Sequence, residues 1–158
     1  MTNESDDRDH QADGYEEGED DGDDDAVLFS WEALQAYARE EYEIDVEEDG
    51  WFATTVEWAD TDRTQQVLVS FFERDDEEPW IVFRSTVCRK DQLDPEKALR
   101  HNDDLAVATL ALTDDDTYEL VYSFPLEALT AALFDDLLDQ IAASADDLEE
   151  ATTSADDY

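Results

Sequence analysis

The residues that could do covalent or acid–base chemistry are few and lie far apart in the sequence. Cys88 is the single cysteine, and His10 and His101 are the two histidines. A catalytic thiol needs a base held close to it, but His10 falls in an acidic N-terminal stretch and His101 at the predicted end of a short helix. A cysteine in an apolar strand is more often a small buried side chain. We therefore predict no catalytic residue.

Metal and cofactor sites also lack a ligand set. One cysteine and one usable histidine do not make a zinc site. A calcium loop with Gly22 at its central glycine position would place Leu28 where a bidentate glutamate is required. All 4 glycines precede residue 51, which excludes a glycine-rich phosphate loop. Adjacent acids such as Asp103 and Asp104 are too common here to indicate an acid–base pair. We predict no metal, no cofactor and no enzyme activity.

The charge of the chain is its most unusual property. The sequence has 48 Asp and Glu against 9 Lys and Arg, for a formal net charge of -39 on 158 residues. Residues 1–25 hold 13 of the acids and one base, which leaves 35 acids and 8 bases on the rest of the chain. Such a body should repel itself in dilute buffer, whereas at about 1 M salt the Debye length falls to about 3 Å. The composition predicts a protein of a salt-rich cytoplasm.

Localisation follows from what the sequence lacks. No basic region followed by an apolar stretch opens the chain, so we expect no secretory signal. No apolar run approaches the roughly 20 residues of a membrane span. We expect a cytoplasmic protein that does not bind a membrane.

An acidic chain also suggests a second hypothesis, a mimic of nucleic acid or a regulator that binds a basic protein through the arm at residues 1–25. A mimic should group its carboxylates in a continuous stripe, but here they occur in nearly every predicted loop. Direct nucleic-acid binding is disfavoured because no basic patch could displace phosphate counterions. General adaptation to salt is the preferred interpretation, and the mimic remains the alternative.

Hydrophobic periodicity divides the chain into an acidic arm at residues 1–25, predicted to be disordered, one domain at 26–150 and a disordered tail at 151–158. Ser30 is the predicted N-cap of the first helix, and Asp94 followed by Pro95 begins the second. The predicted elements are a helix at 31–42, strands at 51–58, 66–73 and 80–89, a short helix at 95–102, strands at 105–112 and 118–124, and a long amphipathic helix at 127–150. Asn102 is the expected C-terminal cap of the short helix.

This order predicts an α+β fold, with a five-stranded antiparallel sheet and helices covering one face. Alternation places Trp80, Val82, Arg84, Thr86 and Cys88 on one side of their strand, and neither side is polar throughout. Two partly apolar faces imply that a symmetric partner or a client segment covers the second one. Large aromatic side chains are the usual anchors of protein interfaces. The candidate interface residues are Trp51, Trp58, Phe72, Trp80 and Tyr122.

Three local patterns add a family resemblance. They are Lys97-Ala98-Leu99-Arg100-His101-Asn102 at the end of the short helix, the alternating strand from Ala106 to Leu112, and Ser123-Phe124-Pro125-Leu126-Glu127 before the last helix. In their order and spacing the chain resembles the YbjN-like domains and, more distantly, the type III secretion chaperones of the CesT-like (Tir chaperone-like) family. Its composition resembles that of proteins from halophilic archaea. The acidic arm is not part of the chaperone pattern.

The resemblance implies an α-β-β-β-α-β-β-α fold and a non-enzymatic domain that binds protein. It implies a frequent homodimer, with the short helix and the sheet contributing to the interface, and exposed apolar grooves that hold a client chain in extended form. We therefore expect a chaperone-like or regulatory protein whose partner is a protein client or a second copy of itself.

Overall fold

A computed structural model describes residues 27–28, 30–59, 63–73 and 78–153. These residues form three α-helices, α1 (Trp31–Glu41), α2 (Pro95–Asp104) and α3 (Ala131–Thr153). They also form six strands, β1 (Ile44–Glu48), β2 (Trp51–Glu57), β3 (Thr64–Phe72), β4 (Trp80–Arg89), β5 (Thr109–Leu112) and β6 (Thr117–Pro125). The predicted arm at 1–25 and residues 154–158 of the predicted tail lie outside the described residues.

All six strands belong to one sheet with the order β1-β2-β3-β4-β6-β5, and every neighbouring pair is antiparallel. Strands β1 to β4 follow one another as a meander. The chain then passes through α2 to β5 at the far edge and returns as β6 between β4 and β5. The predicted α+β class with an antiparallel sheet is confirmed.

The sheet has one strand more than the five that were predicted. The additional strand is β1, in a segment where no element was predicted and where Asp45, Glu47 and Glu48 are poor strand formers. It pairs with β2 from Ile44↔Thr54 to Glu48↔Trp51, with an irregularity between Ile44 and Val46. Exposed acidic side chains are typical of an edge strand because they discourage pairing with another chain.

The main core lies between the sheet and two helices on one of its faces. Helix α1 buries Trp31, Leu34 and Ala38, and the predicted N-cap is confirmed because the Ser30 hydroxyl accepts a hydrogen bond from the Ala33 N–H. Helix α3 brings the fully buried Phe134 against the same sheet face. The sheet contributes its own buried side chains to this cluster, which are Phe52, Val67, Val69, Ile81 and Phe83.

A second core cluster joins α2 to the edge of the sheet. Ala98 of α2 packs with Leu110, Tyr118 and Leu120 of the last two strands, and with Leu148 of α3. Helix α2 begins as predicted, since the Asp94 carboxylate accepts hydrogen bonds from the backbone N–H groups of the first turn and a proline follows it. All three helices therefore cover the same face of the sheet.

Asn102 does not cap α2, which ends with Leu105 as its C-cap residue. The prediction is wrong because a different acceptor and donor lie within reach. The Asn102 Oδ1 accepts a hydrogen bond from the Leu110 N–H at 2.6 Å, and its Nδ2 donates to the Leu110 carbonyl at 3.3 Å. The side-chain amide thus binds the outer edge of β5 as a neighbouring strand would, and it ties α2 to the sheet.

Two further boundaries differ from the prediction. The pairing of β4 with β6 shifts register between Thr86 and Cys88, so Val87 and Cys88 are both buried although strict alternation would separate them. The last helix begins at Ala131, after a 3-10 turn at Leu126–Ala128, because Pro125 extends β6 to its end. It continues past Glu150, and the buried Thr152 hydroxyl donates to the Leu148 carbonyl within it.

A shared carboxylate holds α1 against α3. The hydroxyls of Tyr37 and Tyr42 both donate to Asp135, at 2.7 and 2.6 Å, one to each carboxylate oxygen. Both rings also meet Phe134 edge-on. Burial first, and then the hydrogen bond to Asp135, raise the pKa of the Tyr42 phenol above its ordinary value of 10.0. The neutral phenol is therefore the form that the fold stabilises.

Substitution of Tyr42 should reveal this contact in the pH dependence of stability. A tyrosine whose pKa is raised on folding contributes its full stabilisation below the unfolded pKa and loses it as the pH rises past that value. We expect Tyr42→Phe to lower the free energy of unfolding by about 1.5 kcal/mol near neutral pH. We also expect its stability to decline less than that of the wild type between about pH 9 and about pH 11. Urea denaturation at a series of pH values measures both quantities.

Tyr118→Phe is the matched control near neutral pH, since the buried Tyr118 hydroxyl has no hydrogen-bond partner among the described residues. It should leave the free energy of unfolding nearly unchanged. Equal stability of Tyr42→Phe and the wild type at every pH would show that the contact with Asp135 contributes nothing.

Candidate protein-binding face

The face of the sheet opposite the three helices is the candidate functional site, and we call it the open face. Residues that are directly paired in an antiparallel sheet have their side chains on the same face. The register therefore sorts the open face into rows across the strands. The first row is Phe72, Trp80 and Pro125, the second is Trp51, Ser70, Val82 and Ser123, and the third is Ala53, Leu68, Arg84 and Val121.

The three rows are mainly apolar and, apart from the buried Ala53, incompletely buried. Phe72 is 50% exposed and Trp80 is 38% exposed. Val82 and Val121 are half-buried, although they lie in the middle of the sheet. The buried side chains of the helices pack on the opposite face. An exposed apolar area of this kind makes the face a candidate surface for binding another molecule.

The three rows also lack carboxylates across β2, β3, β4 and β6, in a chain with 48 acidic residues. Glu48 lies beside Trp51 on the edge strand β1, at the end of the second row. Beyond the third row lie the carboxylates of Glu119 and of Asp45, which accepts a hydrogen bond from the Gln66 side chain. Acidic side chains, which are frequent in the rest of the sequence, are therefore absent from the centre of this face.

Arg84 introduces the one charge of the third row. Its Nη1 donates to the Glu119 Oε2 at 3.3 Å, and the two side chains are 43% and 21% exposed. Beside this pair lies a shallow depression of about 190 Å³, lined by Gln65, Gln66, Leu68, Arg84, Thr86 and Glu119. The depression joins the apolar rows to the polar margin of the open face.

A larger depression, of about 510 Å³, lies where β4 ends, away from these three rows. Its lining residues are Arg89, Lys90, Asp91, Pro95 and Asp116. The Lys90 Nζ donates to the Asp116 Oδ1 at 2.8 Å, and that hydrogen bond raises the pKa of Lys90. The Arg89 Nε lies 3.8 Å from the Asp91 Oδ1. Exposed ion pairs of this kind contribute little to binding or stability, so this depression is a weaker candidate site.

The structure divides the five aromatic residues predicted from the sequence between the two faces. Trp51, Phe72 and Trp80 lie together on the open face. Tyr122 pairs with Phe83, and both it and Trp58 pack against the core cluster beneath the helices. The candidates were chosen for their aromatic side chains, so the aliphatic residues of the second and third rows were missed. These are Leu68, Val82 and Val121. Their alternation with core residues along each strand is the signal that places them there.

The residues with possible covalent chemistry are not assembled. Cys88 is buried, and its burial raises the pKa of the thiol, which keeps it in the unreactive protonated form near neutral pH. Within the described ranges, no group of three or more His, Cys, Asp or Glu side chains is arranged to hold a metal ion. No helix in the part of the chain that the structure describes is long and apolar enough to cross a membrane.

Solved structures that share this fold include two chaperone complexes. One is the type III secretion chaperone SycH of Yersinia pestis in complex with a stable fragment of YscM2, with a TM-score of 0.52 and 17% sequence identity. The match covers 73% of this chain and 95% of that one. The other is a chain of the HopA1–SchA chaperone–effector complex, with a TM-score of 0.52 and 13% identity over 74% of this chain and 90% of that one. No protein-family model and no curated protein sequence matches the chain. The chain has the fold of type III secretion chaperones.

The division of the aromatics predicts different effects of truncation. Tyr122→Ala removes a ring packed on the main core, so we expect it to lower the free energy of unfolding by about 3 kcal/mol. Trp80→Ala removes a partly exposed ring from the open face, so we expect a loss of about 1 kcal/mol or less. Urea denaturation of both variants in molar potassium chloride makes the comparison. Equal losses would show that Trp80 is held within the core of the fold as firmly as Tyr122.

Proposed function

We propose that this protein is a chaperone-like protein without catalytic activity, which binds other protein chains on the open face of its sheet. The observation that carries the proposal is the apolar, carboxylate-free centre of that face in a chain of net charge -39. Removing apolar surface from water contributes roughly 25 cal/mol per Å², so exposed Trp80 and Phe72 gain from a partner that covers them. Carboxylates would have to be desolvated on binding, and the face avoids them.

The fold supports the same proposal. The neighbours SycH and SchA are chaperones, and their structures were determined in complexes with the YscM2 fragment and the effector HopA1. The YbjN-like resemblance of the sequence adds that two copies of the chain associate. We propose that the open face binds a segment of a client protein. Where two copies of the chain associate, the second copy binds either on this face, in competition with the client, or beside it.

The proposal also includes the salt concentration at which the protein acts. We propose a cytoplasmic protein of a salt-rich cell, as its excess of acids and its similarity in composition to halophilic archaeal proteins indicate. At about 1 M salt the repulsion between two acidic proteins is screened beyond about 3 Å, so the apolar contact decides whether they associate. In dilute buffer the same two proteins would repel each other.

A matched pair of lysine variants tests the binding face. Val82→Lys places a charge in the second row of the open face, whereas Leu99→Lys places the same charge on α2 at a residue that is 71% exposed. We expect wild type and Leu99→Lys to retain a set of proteins from a high-salt extract of the cells that make the protein. Val82→Lys should lose that set. Circular dichroism checks that both variants are folded, and light scattering over a concentration series gives their molar mass.

A third variant, with residues 1–25 removed, separates the alternative function. A regulator that binds a basic protein through its acidic arm would lose its partner on this deletion, whereas binding through the open face would persist. Loss of the captured proteins in the arm deletion alone would support that alternative. Loss in Leu99→Lys alone would place the interface on α2 and contradict our proposal.

Salt adaptation has its own test. We expect the free energy of unfolding to rise as potassium chloride increases from about 0.1 M to about 1 M, because the Debye length shortens from about 10 Å to about 3 Å. Urea denaturation across this range measures the dependence. A globular protein with near-zero net charge, measured in parallel, shows the effect of salt on apolar burial alone. A free energy of unfolding that is flat or falling with salt would contradict the adaptation.

A further inference from the structure

Arg84 carries the one charge in the three rows of the open face across the four central strands. It lies in the third row of the open face, directly paired with Leu68 on one side and Val121 on the other. No other basic residue lies in the three rows, and no carboxylate lies in them across the four central strands. A charged group between two apolar neighbours is more weakly screened by water than one on an exposed loop.

The hydrogen-bonding capacity of Arg84 is only partly used. A guanidinium has five N–H donors and can bind a carboxylate through two of them at once. In the described residues Arg84 has one hydrogen bond, from its Nη1 to Glu119. The adjoining depression of about 190 Å³ is far larger than the roughly 15 Å³ that a single water requires, so a carboxylate side chain can enter it.

The spacing of the open face matches an extended segment. Side chains two residues apart on a strand lie on the same face about 7 Å apart. Trp80, Val82 and Arg84 follow one another at this spacing along β4. An extended segment that runs along β4 would meet an aromatic ring, an aliphatic side chain and a guanidinium in turn.

On the basis of the proposed function, we propose that the open face selects extended segments that carry an aspartate or glutamate with apolar side chains two and four residues away. Arg84 binds the carboxylate, and Val82 and Trp80 contact the two apolar side chains. Acids outnumber bases on this chain, and Arg84 is the one basic residue in the three rows, so a carboxylate on this face can pair only with Arg84, which it would share with Glu119. A partner adapted to the same medium offers mostly carboxylates as its charged groups.

Selection from a library of short random peptides tests the preference directly. The full-length protein is the target, and the selection is done in molar potassium chloride. We expect the selected peptides to carry the acidic residue and the two apolar positions. A selected peptide and its Asp→Asn form, labelled and titrated by fluorescence anisotropy, should differ in Kd by about tenfold or more, which corresponds to about 1.4 kcal/mol. Arg84→Gln should bind both forms equally, and Arg84→Glu should select lysine or arginine in place of the acid.

Arg39→Gln is the matched control, because Arg39 pairs with Glu47 at the far side of the fold, between α1 and β1. It should keep the wild-type preference. Peptides that depend on Val82 but show no preference for an acid, or an acid preference that survives Arg84→Gln, would overturn this inference and leave the proposed function intact. If Val82→Lys weakens the binding of no selected peptide, both are overturned.

A second copy as the occupant is a further outcome of the same experiments. A dimer that Val82→Lys dissociates, together with a library that yields no peptide, would show that the open face pairs with itself. That result would overturn the assignment of a carboxylate-bearing segment.

Discussion

The alternation of side chains across one antiparallel sheet is the constraint on which the rest of this structure depends. Each strand from β2 to β4, and β6 with them, has to supply one set of side chains to the helices and another to the opposite side. The helix side is satisfied within the chain, because α1 and α3 bury it around Phe134. The other side is mainly apolar, and no helix of the described residues packs on it. The second face of such a sheet is either polar or covered by a partner. In this chain the second face is mainly apolar.

The distribution of charge makes the same division. Acidic residues occupy the edge strand β1, the exposed sides of the helices and the turn before β6. They are absent from the three central rows of the open face. Arg84 and Glu119 form an ion pair at the margin of these rows. The proposed adaptation to salt accounts for the excess of acids, but it does not account for their absence from the three central rows of the open face. The proposed binding of a protein partner accounts for that absence, since a carboxylate buried without a partner costs more than an apolar contact returns.

Local signals in the sequence predict most of the fold. Ser30 and the pair Asp94-Pro95 mark the starts of α1 and α2 because capping depends on neighbouring residues alone. The alternation of Tyr118, Leu120, Tyr122 and Phe124 predicts β6 in the same way. Strand β1 is missed because its partner, β2, supplies the pairing that its acidic residues do not favour. Asn102 binds Leu110, which belongs to another element, and a capping rule does not include such a contact.

Only part of the candidate site can be predicted from the sequence, for a related reason. Alternation separates Trp80 from Phe83 on β4, and Tyr122 from Val121 on β6, but it does not say which side the helices cover. That choice depends on how α1 and α3 pack, and it sends Tyr122 to the core and Trp80 to the open face. Which face stays open is therefore decided by the assembled sheet, whereas most of the strands can be predicted from the sequence.

The most direct test of the open face as a protein-binding surface is site-specific photocrosslinking. A photoreactive phenylalanine analogue placed at position 82 or, as a control, at position 99 is irradiated in a high-salt extract of the cells that make the protein. If the account is right, position 82 gives a discrete crosslinked product with a client protein and position 99 gives no crosslink with that client. Crosslinks from position 99 alone, or none from position 82 while the partner is still captured, would contradict it.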